Sequence, residues 1–592
     1  MGHMPSARLG ETKHLRPHDS AAHRSALIGG LGLFVVFFGL TQIRSGLRVT
    51  FHPPFTASSP GELFFWLGFA LLLVPGALLL GYGLSPVAAP RIEKAWFRLQ
   101  SLNRKQRICS LILLFVLASL SARMSHRLIL RDYPLTDDEY ATRFGGQVLA
   151  SGRVTAPEPE PFQAYFTLFL FHRNRTVAGV DWPGPVAAWA VSEATRTGPL
   201  IFALSAAAAA AAVAAVCAIL VSPAYGLAAF LLFFFSPMAF LLSATTHAHV
   251  LSREAIALTI LFYVLAKRKP SAGLWAATGF LAACAFSCRP VETAALLSPL
   301  VVDFAAGALR TKGPKRRELG FFILGAVLPL ALFALYNGLV TGNAAVPPRF
   351  FMEGPGDTIA GESLLNRLGA NTGYNLLMLS IWFLGPAGVA AVVFGVGKSR
   401  LNRLLGLGVG LNLLAGLLHD NHGIHIVGPI HYSECAVPLT IIALAGLMTI
   451  KNKLARAGLP APVFAVLIAA MLFFGMGTFI AWQGGALNAQ ARIQSDIYGG
   501  IAKTLESRGA LPAVVIAPRF ADVWRANPEF NERGTWVFEW RRARPDLSDE
   551  ILIVQNVPGA AGIFREKFPG RPVFQMTLTP GPPYWNLEPA DR

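Results

Sequence analysis

The chain is poor in charge. Only 14% of its 592 residues are Asp, Glu, Lys or Arg, where a soluble domain carries about 25%. That excludes an ordinary water-soluble globule. Acids are scarcer than bases: 33 Asp and Glu stand against 51 Lys and Arg, a formal charge of +18. Cysteine is scarce too. There are five: Cys109, Cys217, Cys284, Cys288 and Cys435. Four lie in apolar segments and the fifth beside one. Their spacing suggests neither a zinc site nor a disulfide framework.

Apolar residues are plentiful: 53% of the chain is hydrophobic and the mean hydropathy is +0.49. A bilayer-spanning helix takes roughly 20 mostly apolar residues, and about 13 runs qualify. They lie near 26–43, 63–84, 108–124, 199–221, 225–243, 250–266, 272–288, 292–309, 319–340, 376–396, 404–418, 436–450 and 461–482. Residues 1–25 are too polar, and too long ahead of the first run, for a cleavable signal peptide. They are expected to form a cytoplasmic tail. The bases cluster in short loops at 91–107, 267–269, 310–317, 398–403 and 451–456. With 13 spans and the N-terminus inside, these loops all face the cytoplasm, as the positive-inside rule requires. The excess charge therefore reads as orientation charge, and a nucleic-acid partner is not expected. Loops 125–198, 341–375 and 419–435 then lie outside, with the tail from 483. The alanine run at 206–212 suits close helix packing.

The tail, 483–592, reads as a small extracytoplasmic α/β domain. Ile493, Ile497, Ile501 and Leu505 recur at helical spacing. AVVIA (513–517), TWVFEW (535–540), ILIVQ (551–555) and PVFQMTL (572–578) read as strands, and AAGIFREKF as a second helix. No nucleophile elbow or phosphate loop is present, so the tail is expected to pack or to position an acceptor. The fold class expected is an all-α polytopic membrane protein carrying this α/β domain.

The chemistry concentrates in YPLTDDEYATRFGGQVLASGR (133–153). Asp137, Asp138 and Glu139 stand together just outside a span. Clustered carboxylates can bind a divalent metal or act as a general base. They also suit the start of a helix, where they complement its dipole. The residues alone leave these readings open. A further run, HDNHGIH (419–425), places His419, His422 and His425 three apart, a spacing able to bind zinc. The reading preferred here is a cavity lining or a solvated loop. Asn174-Arg175-Thr176 is a glycosylation sequon, relevant only in a eukaryotic secretory pathway, for which nothing here argues.

The stretch 133–153 resembles the first outer loop of the GT-C superfamily of membrane glycosyltransferases. The likeness is to the glycosyltransferase family 39 and aminoarabinose-transferase branch, with an Asp-Glu, a nearby Tyr and a closing Leu-Ala-x-Gly-Arg. Here these are Asp138, Glu139, Tyr140 and LASGR (149–153). Further stretches follow in family order: DWPGP (181–185), FSPMAFLLSATTHAHVLS (235–252), CRPVE (288–292), YNGLVTGNAAVPP (336–348) and GPIHYSE (428–434). The resemblance runs from about 108 to 440, leaving the first two helices as an addition. There are departures. Ile430 stands where the family has Arg, His431 where it has Tyr, and Trp182 where it has Pro. A phosphate contact by the family Arg is not carried over.

The resemblance implies transfer of a sugar from a polyprenyl-phosphate carrier to an acceptor hydroxyl outside the membrane, with inversion. It implies no required cofactor, and leaves room for a divalent metal. Asp138 is the first choice of base, with Asp137 next to it in register. Glu139 orients the base or helps hold a cation. Arg289 is the first candidate for the donor phosphate, or else pairs with Glu292. His249 either donates to the phosphate or bridges helices. Tyr140, Tyr336, Asn337, His431, Tyr432 and Glu434 are candidates to bind sugar hydroxyls or fix loops. The acceptor is expected to be a cell-envelope glycan, lipid or protein, and the location a bacterial inner membrane. The main rival is a transporter or lipid flippase, which would place ionisable residues near the bilayer midplane in inverted repeats. A non-catalytic scaffold is the second rival, kept in view by the missing Arg. Orientation is testable directly. Alkaline phosphatase fused after Arg592 is expected to be active in a bacterial host, and the same enzyme inserted after Thr311 inactive.

Overall fold

The structure is a computed structural model. It describes residues 20–43, 68–165, 169–311, 313–351, 373–416, 428–519, 540–579, 583 and 585–590. Apolar helices dominate it. α1 (Ser20–Ile43), α2 (Phe69–Ser101) and α3 (Arg104–Leu128) come first. α3 starts on a capping box. Asn103 accepts from the Gln106 amide at 3.0 Å, and the Gln106 side chain accepts from the Asn103 amide at 3.0 Å.

Loop 125–198 is itself folded. It holds α4 (Asp137–Ala150), a small sheet of β1 (Ala156–Pro157), β2 (Leu170–Arg173) and β3 (Thr176–Gly179), and α5 (Pro183–Thr195). β3 pairs antiparallel with both neighbours. α6 (Leu200–Leu220) and α7 (Pro223–Phe234) return to the bilayer. The alanine run lies on α6, and Ala206, Ala207, Ala209, Ala210 and Ala212 are buried. The segment Pro237–Ala244 continues α7 at a bend of 76°. α8 (Ala248–Arg268), α9 (Ala272–Cys288), α10 (Pro290–Arg310) and α11 (Pro314–Thr341) follow. Then come α12 (Gly373–Phe383), α13 (Gly385–Val396), α14 (Arg400–Ala415), α15 (Ala436–Arg456) and α16 (Ala461–Ser507).

Among the described residues, each of the thirteen apolar runs overlaps helix. Among the described residues, nine helices are long and apolar enough to cross a membrane, or ten with the bent pair as one span. α9 and α13 are shorter. The protein is a multi-pass membrane protein. Exposed Leu, Ile, Val and Phe side chains are spread over α1, α3 and α11, as expected of surfaces facing lipid tails.

Glycines set the closest helix contacts. A Cβ on Gly279 of α9 would overlap the Phe322 carbonyl of α11, and one on Gly325 of α11 would overlap the Ala276 carbonyl of α9. Gly395 and Gly446 do the same between α13 and α15. Without a strong hydrophobic drive in lipid, such backbone approach is what binds helices together.

α16 leaves the bilayer unbroken and enters the C-terminal domain. Its Ile493, Ile497, Ile501 and Leu505 are buried against a four-stranded sheet. The sheet order is β5 (Ile551–Gln555), β4 (Ala513–Ala517), β6 (Val573–Leu578), β7 (Trp585–Pro589). β4 runs parallel to β5 and β6, and β7 antiparallel to β6. α17 (Ala560–Lys567) covers the other face with Phe564. Strand β7 was not expected from the sequence: WNLEP has little strand propensity and forms by pairing with β6. Most of TWVFEW lies outside the described residues. Gly279→Leu is expected to cost about 3 kcal/mol, seen as a lower thermal midpoint of the detergent-solubilised protein. Gly273→Leu, with nothing within 4 Å, is the matched control.

Candidate active site

The acidic cluster is the first turn of α4. Thr136 caps the helix by accepting from the Glu139 amide at 3.4 Å, so the carboxylates sit where unpaired N–H groups and the helix dipole favour negative charge. They share a turn but not an environment. Glu139 is buried, and its oxygens are taken by the fold. Oε2 accepts from the Leu135 amide at 2.8 Å. Oε1 accepts from the Thr246 amide at 2.7 Å and its hydroxyl at 2.8 Å. His247 Nε2 lies 3.7 Å from Oε2. Asp137 is also buried, and its carbonyl accepts from Arg542 Nη1 at 3.0 Å. Asp138 differs: its side chain is 21% exposed and accepts from Arg349 Nη1 at 2.7 Å.

Arg349 also lies 3.4 Å from Asp181 Oδ1. One guanidinium thus serves two carboxylates. The Thr142 hydroxyl, one turn beyond Asp138, hydrogen-bonds the Asp181 carboxylate. Asp181 is delivered by the DWPGP turn. Gly184 of that turn lies against Ser287 and Cys288, where any Cβ would collide. Burial, then the neighbouring Asp138 charge, push the Asp181 carboxyl above the usual carboxylate range. Burial alone would lower the Arg349 pKa, but Asp138 and Asp181 outweigh it and keep the guanidinium charged.

Gly184 also brings the turn to the end of α9, where Arg289 follows. Arg289 is buried and pairs with Glu292 through Nε at 3.1 Å and through Nη2. His249 Nδ1 is 2.9 Å from Glu434 Oε1, which also accepts from Ser252. The His431 ring stacks beside His249 at 5.8 Å. His249, His431 and Glu434, dispersed along the chain, therefore meet, as do Asp138, Arg349 and Asp181.

Other candidates have partners within the fold. Tyr140 turns into the core of the C-terminal domain, its hydroxyl 3.4 Å from Gln494 Oε1; burial pushes its pKa up, so it stays a donor. Tyr432 is buried, with its hydroxyl against Gly416. Tyr336 packs with Val180, Val186 and Val340 beneath the DWPGP turn. Asn337 donates to the Ala344 carbonyl at 3.4 Å and closes the turn after α11. Ile430 is buried, and Trp182 stacks on Phe333 with centroids 6.3 Å apart. His419, His422 and His425 lie outside the described residues. Among the described residues no group of His, Cys, Asp and Glu is arranged to hold a metal.

Sequence reasoning missed Asp181 and Arg349. Both carried a signal: Asp181 is an acid set directly before a buried Trp-Pro turn, and Arg349 follows the VPP stretch directly. It also passed over Arg253, which is fully buried in α8. Arg253 donates to the Met238 and Ala239 carbonyls at 3.2 Å and to the Ser243 hydroxyl at 2.9 Å. It holds together the 76° bend.

Comparison with known proteins now bears on this arrangement. No family model and no curated relative matches the chain. Among solved structures, ArnT from Cupriavidus metallidurans in the apo state is similar, with a TM-score of 0.50 at 12% identity. The match covers 79% of this chain and 92% of that one. ArnT bound to undecaprenyl phosphate gives a TM-score of 0.48 at 12% identity, over 78% and 92% of the two chains. Mycobacterial arabinofuranosyltransferase AftD gives 0.42 at 15% identity, over 78% of this chain and 35% of that one. The chain shares its overall fold with ArnT. In this fold the acidic first turn of α4 opens the folded segment after α3, and the C-terminal domain rests on it.

Glu139→Gln separates anchor from base. A Gln amide cannot accept all three hydrogen bonds, and a buried unmet donor costs about 1–3 kcal/mol. The variant is expected to lose that much stability in thermal unfolding, which a solvent-facing acid would not.

Proposed function

We propose that the protein is an inverting membrane glycosyltransferase. It moves a hexosyl or pentosyl unit from a polyprenyl-phosphate carrier to an acceptor hydroxyl on the extracytoplasmic face of a bacterial inner membrane. The observation that carries this reading is the setting of Asp138: half-open on a helix start beside the end of a span, with Asp181 and Arg349 against it. The order of family-like motifs along the chain and the fold shared with ArnT support it.

The chemistry follows from the residues. The acceptor oxygen attacks the anomeric carbon while Asp138 takes its proton. The bond from that carbon to the phosphate oxygen breaks on the opposite face, and configuration inverts. Negative charge grows on the departing lipid phosphate. Cations fixed beforehand stabilise it most, because they need not reorganise. Arg289, held by Glu292, and Arg349, held by the two aspartates, are the cations of this region. Asp181 accepts from Thr142 and Arg349 and helps hold that guanidinium in place. The steps call on side chains alone.

The ionisable groups sit at helix ends: Asp138 is in the first turn of α4, Arg289 separates α9 from α10, and Glu434 precedes α15. A carrier whose tail stays in lipid and whose head meets an aqueous acceptor needs its site at that boundary. A transporter would need it nearer the midplane. Asp138→Asn is expected to lower transfer roughly 10²–10⁴-fold, measured with donor lipid extracted from the native membrane. Mass spectrometry of the same variant is expected to show polyprenyl phosphate still copurifying. Full turnover by the Asp138→Asn variant would sink the proposal.

A further inference from the structure

The tail was expected to pack or to position an acceptor. Its contacts point at the base instead. α16 lies along the whole connection from α3 to α4. Asn488 Nδ2 donates to the Leu128 carbonyl at 2.6 Å and the Ile129 carbonyl at 3.1 Å. Gln494 Nε2 donates to the Pro134 carbonyl at 3.1 Å, and its Oε1 accepts from the Tyr140 hydroxyl at 3.4 Å. One turn on, Tyr498 stacks on Tyr133 with centroids 5.7 Å apart and planes 10° apart. Residues 494 and 498 share a helix face.

Pro134 precedes the acidic turn and Tyr140 follows it. One amide side chain therefore brackets Asp137, Asp138 and Glu139. Gln494 is fully buried and Tyr140 nearly so, so neither polar group has water as an alternative partner. The connection 129–136 holds no helix or strand residue beyond a lone bridge at Thr136, and its course is set from outside.

We infer that Gln494 is a positioning residue for Asp138, and that α16 is a splint fixing where the base sits. This rests on the glycosyl-transfer reading and deepens it. A general base has to reach its proton over about 2.6–3.2 Å, and a misplacement of about 1 Å costs on the order of 10²-fold in rate. Glu139 ties the turn to the membrane part. Gln494 ties it to the tail. Two ties on opposite sides leave the helix start little freedom to tilt.

The test uses full-length Gln494→Leu in proteoliposomes, with the polyprenyl-phosphate fraction of the native membrane as donor source. The rate at saturating donor is expected to fall 10- to 100-fold, with the donor KM within twofold. Amide exchange is expected to quicken across 133–140 and to stay unchanged across 551–578. Arg544→Ala, which cuts an outlying contact to Glu193 at 3.9 Å, is expected to keep its rate within twofold. Tyr140→Phe, which removes one end of the bracket, is expected to fall between wild type and Gln494→Leu. A wild-type rate for Gln494→Leu overturns the inference. So does a loss of rate with faster exchange throughout 551–578, since Gln494 would then only hold the domain together. If Asp138→Asn also turned over normally, the glycosyl-transfer reading itself would fall, whatever the exchange showed.

Discussion

The site depends on a buried carboxylate that has no water to turn to. An unpaired charge away from water costs several kcal/mol, so Glu139 has to meet its partners. Those partners are the Leu135 amide, before the helix, and Thr246, beyond the bend between α7 and α8. Satisfying one side chain therefore joins α4 to the membrane bundle. Asp138, the preceding residue, is turned by about 100° around the helix. It comes to face Arg349 and Asp181 rather than the bundle.

The same rule governs the other charges near the membrane. Arg289 is met by Glu292, Glu434 by His249 and Ser252, and Arg253 by backbone carbonyls that the bent segment leaves open. A bend exposes carbonyls, and a buried guanidinium with five donors suits them. Arg253 thus stabilises the break, and the break presents Thr246 and His247 to the acidic turn. Helix irregularity, buried charge and site geometry form one linked arrangement.

The departures from the family pattern have local causes. Trp182 fills its place by stacking on Phe333, so the turn that carries Asp181 is held by packing where a proline would have held it by stiffness. His431 lies beside His249 instead of offering a phenol. Ile430 gives the buried region no cation. Arg349 stands on a different segment, between the two aspartates.

Much was legible in the chain order of residues. Hydrophobic runs of spanning length, basic loops on alternate connections and the Ile493-to-Leu505 stripe follow from burial and periodicity, which are local properties. The acidic turn beside a span was visible for the same reason. Roles within that turn were not. Asp137, Asp138 and Glu139 are nearly equivalent in sequence, and only contacts with residues more than 100 positions away separate the buried anchor from the acid that meets Arg349. That Tyr140 enters the core of the C-terminal domain shows only once the tail folds over it. Sequence by itself determined that this protein lives in a membrane and where its acidic turn lies, because solvation acts on each segment alone. Tertiary structure decided which acid faces a partner charge and which is consumed by the fold. Hydrogen bonds and ion pairs are short-ranged, and their partners meet only when distant segments pack.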